Sequence, residues 1–117
     1  MRCCPEDPVI RLMWEEEMEQ EKVMSPEAVE SICQYLKVLA NPTRLRIAYL
    51  LSERDHCVCE LIYKIEQKQN LISHHLSVMK KNGIIESYNQ SKWKYYRLSI
   101  DVSPVLDLFG EDRKDRA

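Results

Sequence analysis

Apolar and polar positions along this chain fall into two periods, and the helical one dominates. Val58, Leu61, Ile62 and Ile65 recur at i, i+3, i+4, i+7, which makes one apolar helix face. After a polar break at Glu66-Gln67-Lys68, Ile72, Leu76 and Met79 repeat that spacing until Gly83 stops the helix. The opposite side of the second helix carries Asn70, Ser73, His74, Ser77 and Lys81 as one polar stripe. Upstream, Ser25-Pro26 supplies a capping residue followed by proline at the first helical position. Val29, Ile32, Cys33, Leu36 and Leu39 then form the predicted inner face, and Ala40-Asn41-Pro42 ends the helix. Asn41-Pro42 opens the next helix, with Leu45, Ala48 and Leu51 expected inward. Asp55 is the expected N-cap of the helix that starts near Cys57. Before all of these, Ile10, Met13, Trp14 and Met18 give a weaker amphipathic pattern after Pro8.

Past Gly83 the period changes. Residues 84–88 and 93–98 are rich in β-branched and aromatic residues and flank the polar turn Asn89-Gln90-Ser91-Lys92, which predicts a β-hairpin. Residues 102–109 predict a short apolar helix or turn before a charged tail. A short helix, a tight turn, a second helix with a polar face and then a hairpin describe a helix-turn-helix with a wing. The expected fold class is mainly α with a β-hairpin wing, a winged helix-turn-helix of α+β type. The expected organisation is an N-terminal arm and docking helix over 1–24, the winged helix-turn-helix over 25–99, and a short dimerisation segment with a charged tail over 100–117. Trp14 and its neighbouring methionines need a partner surface, which a second protomer would supply; the alternative is a frayed tail.

Charge distribution changes what this fold implies. The net charge of −2 disfavours a nucleic-acid binder. Residues 1–30, however, hold nine acidic and three basic side chains, whereas residues 64–97 hold seven basic against two acidic. A local basic surface neutralises phosphates whatever the total. In a helix-turn-helix the second helix enters the major groove with its N-terminal residues leading. The candidate DNA contacts are therefore Lys68, Gln69, Asn70, Ser73, His74, Ser77 and Lys81, with Lys92 and Lys94 on the wing for phosphate or minor-groove contact. An ordinary solvated lysine face is the plainer alternative, and the polar stripe on the same segment favours DNA. No nucleophile, base and oxyanion set can be assembled, so the chain is read as a non-enzyme without a catalytic cofactor. A glycine-rich phosphate loop is absent from a chain with two glycines. No apolar run reaches a membrane span and no signal-peptide core is present, so a cytoplasmic protein with no membrane partner is expected.

In that compartment five cysteines indicate free thiols, metal ligands or redox chemistry. Cys33 lies on the predicted inner face and is expected to be a small buried residue. Cys57 and Cys59 are two apart, and on a regular helix such side chains point about 200° apart, so chelation requires an irregular first turn. A helix start lowers thiolate pKa and thiolates select soft ions such as Cd(II), Pb(II) and trivalent arsenic or antimony. Cys3 and Cys4 belong either to such a site, to a redox pair or to a tail. His74 is expected to face the groove, His75 to pack at the helix edge and His56 to lie at the surface, with an accessory ligand beside Cys57 as the alternative. Arg44 and Arg46 stand on an otherwise apolar helix with three outcomes open: snorkelling, pairing with acids, or touching phosphate.

The runs LKVLANPTRLRIAYLL, CVCEL, ISHHLSVMKKNGII and KYYRLS together resemble the ArsR–SmtB metal-sensing repressors over about residues 30–99. CVCEL is similar to the CVCDL thiolate motif of that family's arsenic and cadmium/lead sensors. The resemblance implies a homodimeric winged helix-turn-helix that binds double-stranded operator DNA when metal-free and releases it on binding metal. Some arsenic sensors carry a third cysteine three residues after the second, where this chain has Ile62. In cadmium/lead sensors an N-terminal arm supplies the remaining thiols, a part that Cys3-Cys4 would fill here. Residues 99–117 contain no histidine, which discounts the family's C-terminal histidine–carboxylate site and the zinc, nickel and cobalt responses tied to it. The expected function is a metal(loid)-responsive repressor induced by As(III)/Sb(III) or Cd(II)/Pb(II) at Cys57 and Cys59, with Cys3 and Cys4 completing the set. The alternatives are a thiol redox switch on the same fold and a winged-helix protein-interaction module.

Overall fold

The computed structural model describes residues 4–109. The chain divides into two compact units between Ser31 and Ile32. In the first, α1 spans Pro8–Gln20. Asp7 caps it, its Oδ1 accepting the Val9 and Ile10 N–H groups at 2.9 and 3.2 Å, and Pro8 takes the first helical position. No α1 residue is buried, and Val9, Ile10, Leu12 and Met13 are exposed. The Arg11 guanidinium lies over the Trp14 ring at 5.7 Å, so the indole is half-buried by its own helix. Ser25 caps α2 (Pro26–Leu39) as expected, accepting the Ala28 N–H at 3.1 Å.

The second unit continues with α3 (Pro42–Glu53), β1 (His56–Cys57), α4 (Val58–Ile65), α5 (Gln69–Lys81), β2 (Ile85–Gln90), β3 (Trp93–Leu98), α6 (Ser103–Leu106) and a 3-10 turn (Asp107–Phe109). The short apolar element expected near 102–109 is thus a helical turn and a 3-10 turn. Asn41 caps α3, its Oδ1 accepting the Arg44 N–H at 3.1 Å. Ile47, Leu51, Leu61, Ile72, Leu76, Met79, Ile84 and Ile85 form one core closed by Tyr96 and Val102. The apolar faces expected for α4 and α5 point into it. Glu66 ends α4 in the left-handed region at φ 61°, which turns the chain sharply toward α5. Gly83 ends α5 at φ 75°, and the Ile84 N–H returns to the Met79 carbonyl at 3.0 Å, a closure that needs a residue free of Cβ strain.

Two inward faces differ from expectation. On α3, Ile47 is fully buried and Leu45 exposed. With Thr43, Ile47 and Leu51 stacked one turn apart, Leu45 points about 200° away from Ile47. On α2, Leu39 is buried as expected, together with Val38, and Tyr35 packs against the same core. Val29, Ile32 and Leu36 remain exposed, and so does Cys33, which is not the buried residue expected. Leu39 continues the line of Ile32 and Leu36, so that stripe is buried only at its C-terminal end, where the helix meets the core, while Tyr35 and Val38 turn toward the core from the adjoining side.

The sheet has the order β1-β3-β2, all antiparallel. The wing strands run to Gln90 and from Trp93, so the turn shrinks to Ser91-Lys92, with Ser91 at φ 56°. Strand β1 has no counterpart in the sequence pattern. It pairs His56 with Tyr96 and Cys57 with Tyr95, tying the segment before α4 to the wing.

Candidate nucleic-acid interface and thiol site

Buried Ile72, Leu76 and Met79 fix the rotation of α5. With that rotation set, Gln69, Asn70, Ser73, His74, Ser77 and Lys81 are all exposed along its free side, and Lys68 is exposed at the N-cap. Leu71 is also exposed, at 38%, an apolar group beside the polar stripe that periodicity alone does not single out. A leucine here suits contact with a thymine methyl group.

His75 sits on the inner side of α5 and is buried. The Arg44 Nε–H donates to its Nδ1 at 3.0 Å, and a second Arg44 nitrogen reaches the Val38 carbonyl at 3.4 Å. Arg44 thus ties the recognition helix to α3 through a histidine, a partner outside the expected three. Burial lowers the His75 pKa, and the nearby charges of Arg44 and His74 add to the shift. Its folded pKa therefore lies below the unfolded value, so its contribution is fully present above roughly pH 6.5 and declines as pH falls below it. Denaturant midpoints should drop between about pH 7 and pH 5. His75→Gln keeps an acceptor for Arg44 and should flatten that part of the pH profile; an unchanged profile would remove His75 from the account.

On the wing, Glu86, Tyr88 and Gln90 stand opposite Arg97, Tyr95 and Trp93 on one face. Tyr88 and Tyr95 stack at 5.8 Å, Arg97 lies 5.1 Å over Tyr88, and Arg97 pairs with Glu86 at 2.6 Å. The Tyr88 hydroxyl donates to Asp55 Oδ2 at 2.6 Å, and this bond raises the Tyr88 pKa. Asp55 is therefore not the N-cap expected for α4. Lys92 and Lys94 are exposed at the tip, Lys94 with its ammonium 5.9 Å from the Tyr96 ring. The Lys80 ammonium donates to Ser87 Oγ at 2.7 Å, joining α5 to the wing.

Cys57 occupies the N-cap of α4 in extended geometry (φ −90°, ψ 167°), and Cys59 follows as the second helical residue. The helical separation that forbids chelation applies to two helical residues, and only Cys59 is one. Cys57 is half-buried and Cys59 exposed. The Cys57 N–H donates to Glu60 Oε1 at 3.0 Å, and Glu60 also pairs with Arg54 at 3.1 Å. These bonds, Arg54 first, hold the Glu60 carboxyl down to about 2. His56 is buried, not at the surface, with Nδ1 2.8 Å from the Arg54 carbonyl oxygen. Its place in β1, opposite buried Tyr96, turns its ring into the sheet's packed side. Among the described residues no group of three His, Cys, Asp or Glu side chains converges as a metal site. Cys4 is exposed in the first unit, and Cys3 lies outside the described residues.

A helix-turn-helix whose second helix presents a polar face, followed by a short-tipped β-hairpin, defines a winged helix-turn-helix transcriptional regulator. Residues 41–87 match the family described as "Bacterial regulatory protein, arsR family". An uncharacterized HTH-type transcriptional regulator of Methanocaldococcus jannaschii is 36% identical over 87 residues, 73% of this chain and 98% of that protein. The arsenical resistance operon repressor of Escherichia coli K12 is 45% identical over 70 residues, 59% of this chain and 60% of that repressor. The solved structure of HlyU from Vibrio cholerae superposes with a TM-score of 0.67 at 25% identity, covering 79% of this chain and 100% of that one. The chain belongs to the ArsR–SmtB family of transcriptional regulators and is not an enzyme. No helix among the described residues is long and apolar enough to cross a membrane.

Proposed function

We propose that this protein is a homodimeric repressor that binds operator DNA and lets go when a soft thiophilic ion is held at Cys57 and Cys59. The observation that carries this reading is the position of Cys57. It is at once the last residue of a strand paired to the wing and the first cap of the helix-turn-helix. Closing the Cys57 and Cys59 thiolates on one ion draws on both halves of the reading unit. Cys57 at the N-cap and Cys59 in the first turn both stand at the N-terminal end of α4. Two thiols fit part of the ligand set of a soft ion, which takes three or four such donors. The arm cysteines, Cys3 and Cys4, complete it in this reading, from the same or the second protomer. The exposed apolar residues of α1 and of α2 supply the dimer surface. The E. coli relative is named as the repressor of an arsenical resistance operon, which agrees with thiolate chemistry, and Cd(II) and Pb(II) follow from the same softness.

The test is a gel shift on DNA upstream of the coding sequence, under reducing conditions, with As(III), Sb(III), Cd(II) or Pb(II). Release by one of these ions supports the reading. Release by oxidant alone would replace it with a redox switch, and absence of salt-dependent DNA affinity would leave an interaction module. Within this reading the wing lysines touch phosphates. Lys92→Ala and Lys94→Ala should each weaken all duplexes alike and flatten the salt dependence by about one unit of slope for each phosphate no longer neutralised. A changed sequence preference with an unchanged slope would show the lysines reading bases.

A further inference from the structure

Trp93 is left without a structural task. The residue is 55% exposed at the first position of β3, directly after the two-residue turn. Its cross-strand partner is Gln90, so it has no aromatic neighbour across the ladder, whereas Tyr95 next along the same face is stacked on Tyr88. A large apolar ring kept in water gains nothing for the fold. Its surroundings are nevertheless rigid. Tyr88 and Tyr95 brace the strands beneath it, Arg97 and Glu86 close the ladder, and Asp55 anchors Tyr88 to the segment before β1. The indole is therefore presented on a stiff ribbon whose tip is two residues wide and whose flanking side chains, Lys92 and Lys94, are exposed cations. A narrow cationic tip carrying one apolar ring has the shape and chemistry of side chains that wedge into a DNA minor groove.

We propose that Trp93 is a specificity-determining wedge. Its indole packs on the sugars and base edges of a minor groove while Lys92 and Lys94 hold the phosphates on either side. The groove floor must then lack the guanine 2-amino group, which stands where the ring would go, so the wing favours A·T-rich steps. This rests on the DNA-binding reading above and adds a base preference that the recognition helix does not supply.

The experiment uses the full chain and three alternating duplex copolymers, poly(dA-dT), poly(dI-dC) and poly(dG-dC), at low salt. Inosine differs from guanine only by the missing 2-amino group, so the last two differ in the minor groove alone. The wild-type protein should bind the A·T and I·C duplexes about tenfold more tightly than G·C, within the range that one unfavourable base pair costs. Trp93→Ala should lose that preference and keep the salt slope, because no phosphate contact is removed. Trp93→Phe should retain part of it. The Trp93 emission, taken as the difference between wild type and Trp93→Phe, should be quenched on saturation with the I·C duplex. Equal wild-type affinity for I·C and G·C, a preference surviving in folded Trp93→Ala, or unchanged Trp93 emission would overturn the proposal. A wild-type protein that binds none of the three would overturn the DNA-binding reading and the wedge with it, whereas tight binding without the preference overturns the wedge alone.

Discussion

Serine in place of Cys57 or Cys59 should leave operator affinity unchanged and abolish release by a soft ion. The change from thiol to hydroxyl is nearly isosteric. Cys57 keeps its backbone bond to Glu60 and its pairing with Tyr95, which do not involve the sulfur. The DNA-binding form should therefore survive, and serine caps a helix at least as well as cysteine. Thiolate affinity for the ion is what disappears. For an ion to release DNA it must bind the DNA-free form more tightly, by a coupling of about 1–3 kcal/mol, or roughly 5- to 150-fold in operator affinity. By reciprocity, operator DNA should weaken ion binding to the wild type by the same factor. Titration of thiolate absorption with and without DNA measures this directly. Cys33→Ser should keep both activities, since Cys33 is exposed on α2 and is no part of the Cys57–Cys59 pair. Cys3→Ser with Cys4→Ser decides the arm: a lost response places those thiols in the inducing site, and a full response makes the arm a tail. Ion-triggered release from the Cys57→Ser/Cys59→Ser double variant would end the thiolate account.

The second large effect is at the recognition helix. Ser73→Ala with His74→Ala should remove specific operator binding while the protein stays folded. Both side chains are exposed on α5, and the residues that hold the helix, Ile72, Leu76 and Met79, are untouched. A base contact is worth about 1–3 kcal/mol, so removing two lowers operator affinity by roughly thirtyfold or more. Weak binding to unrelated DNA should persist through the lysines and remain steeply salt-dependent. Circular dichroism and the denaturant midpoint verify the fold. Unchanged operator affinity in the folded variant would mean that α5 is not the reading helix.

Features set by a few neighbouring residues are legible in the chain itself. Ser25-Pro26 and Asn41-Pro42 open α2 and α3 because capping and proline geometry act within four residues. Gly83 closes α5 because the positive φ there is a local demand. The apolar spacings of α4 and α5 set which sides are buried, and with them the exposed stripe from Asn70 to Lys81. Cys57 and Cys59 stand out by residue type and spacing.

The tertiary structure decided what distant residues do to one another. Asp55 is the better cap by local preference, yet its carboxylate is taken by Tyr88, 33 positions along the chain. Cys57 and Glu60 then cap α4 in its place. Strand β1 is two residues long, too short to carry a periodic signal, and exists because β3 offers a free edge. That pairing buries His56 and sets Cys57 at the junction of wing and helix-turn-helix. Arg44 found a histidine 31 residues away, a partner no local pattern names. The phase of α3, with Ile47 inward and Leu45 outward, depends on where the rest of the core lies around it. Local chemistry thus wrote the helices, the caps of α2 and α3 and the polar stripe, because those energies act over one helical turn. Long-range pairing in the sheet placed the thiols against the wing, because a strand's partner is chosen by the edge that remains open when the helices have packed.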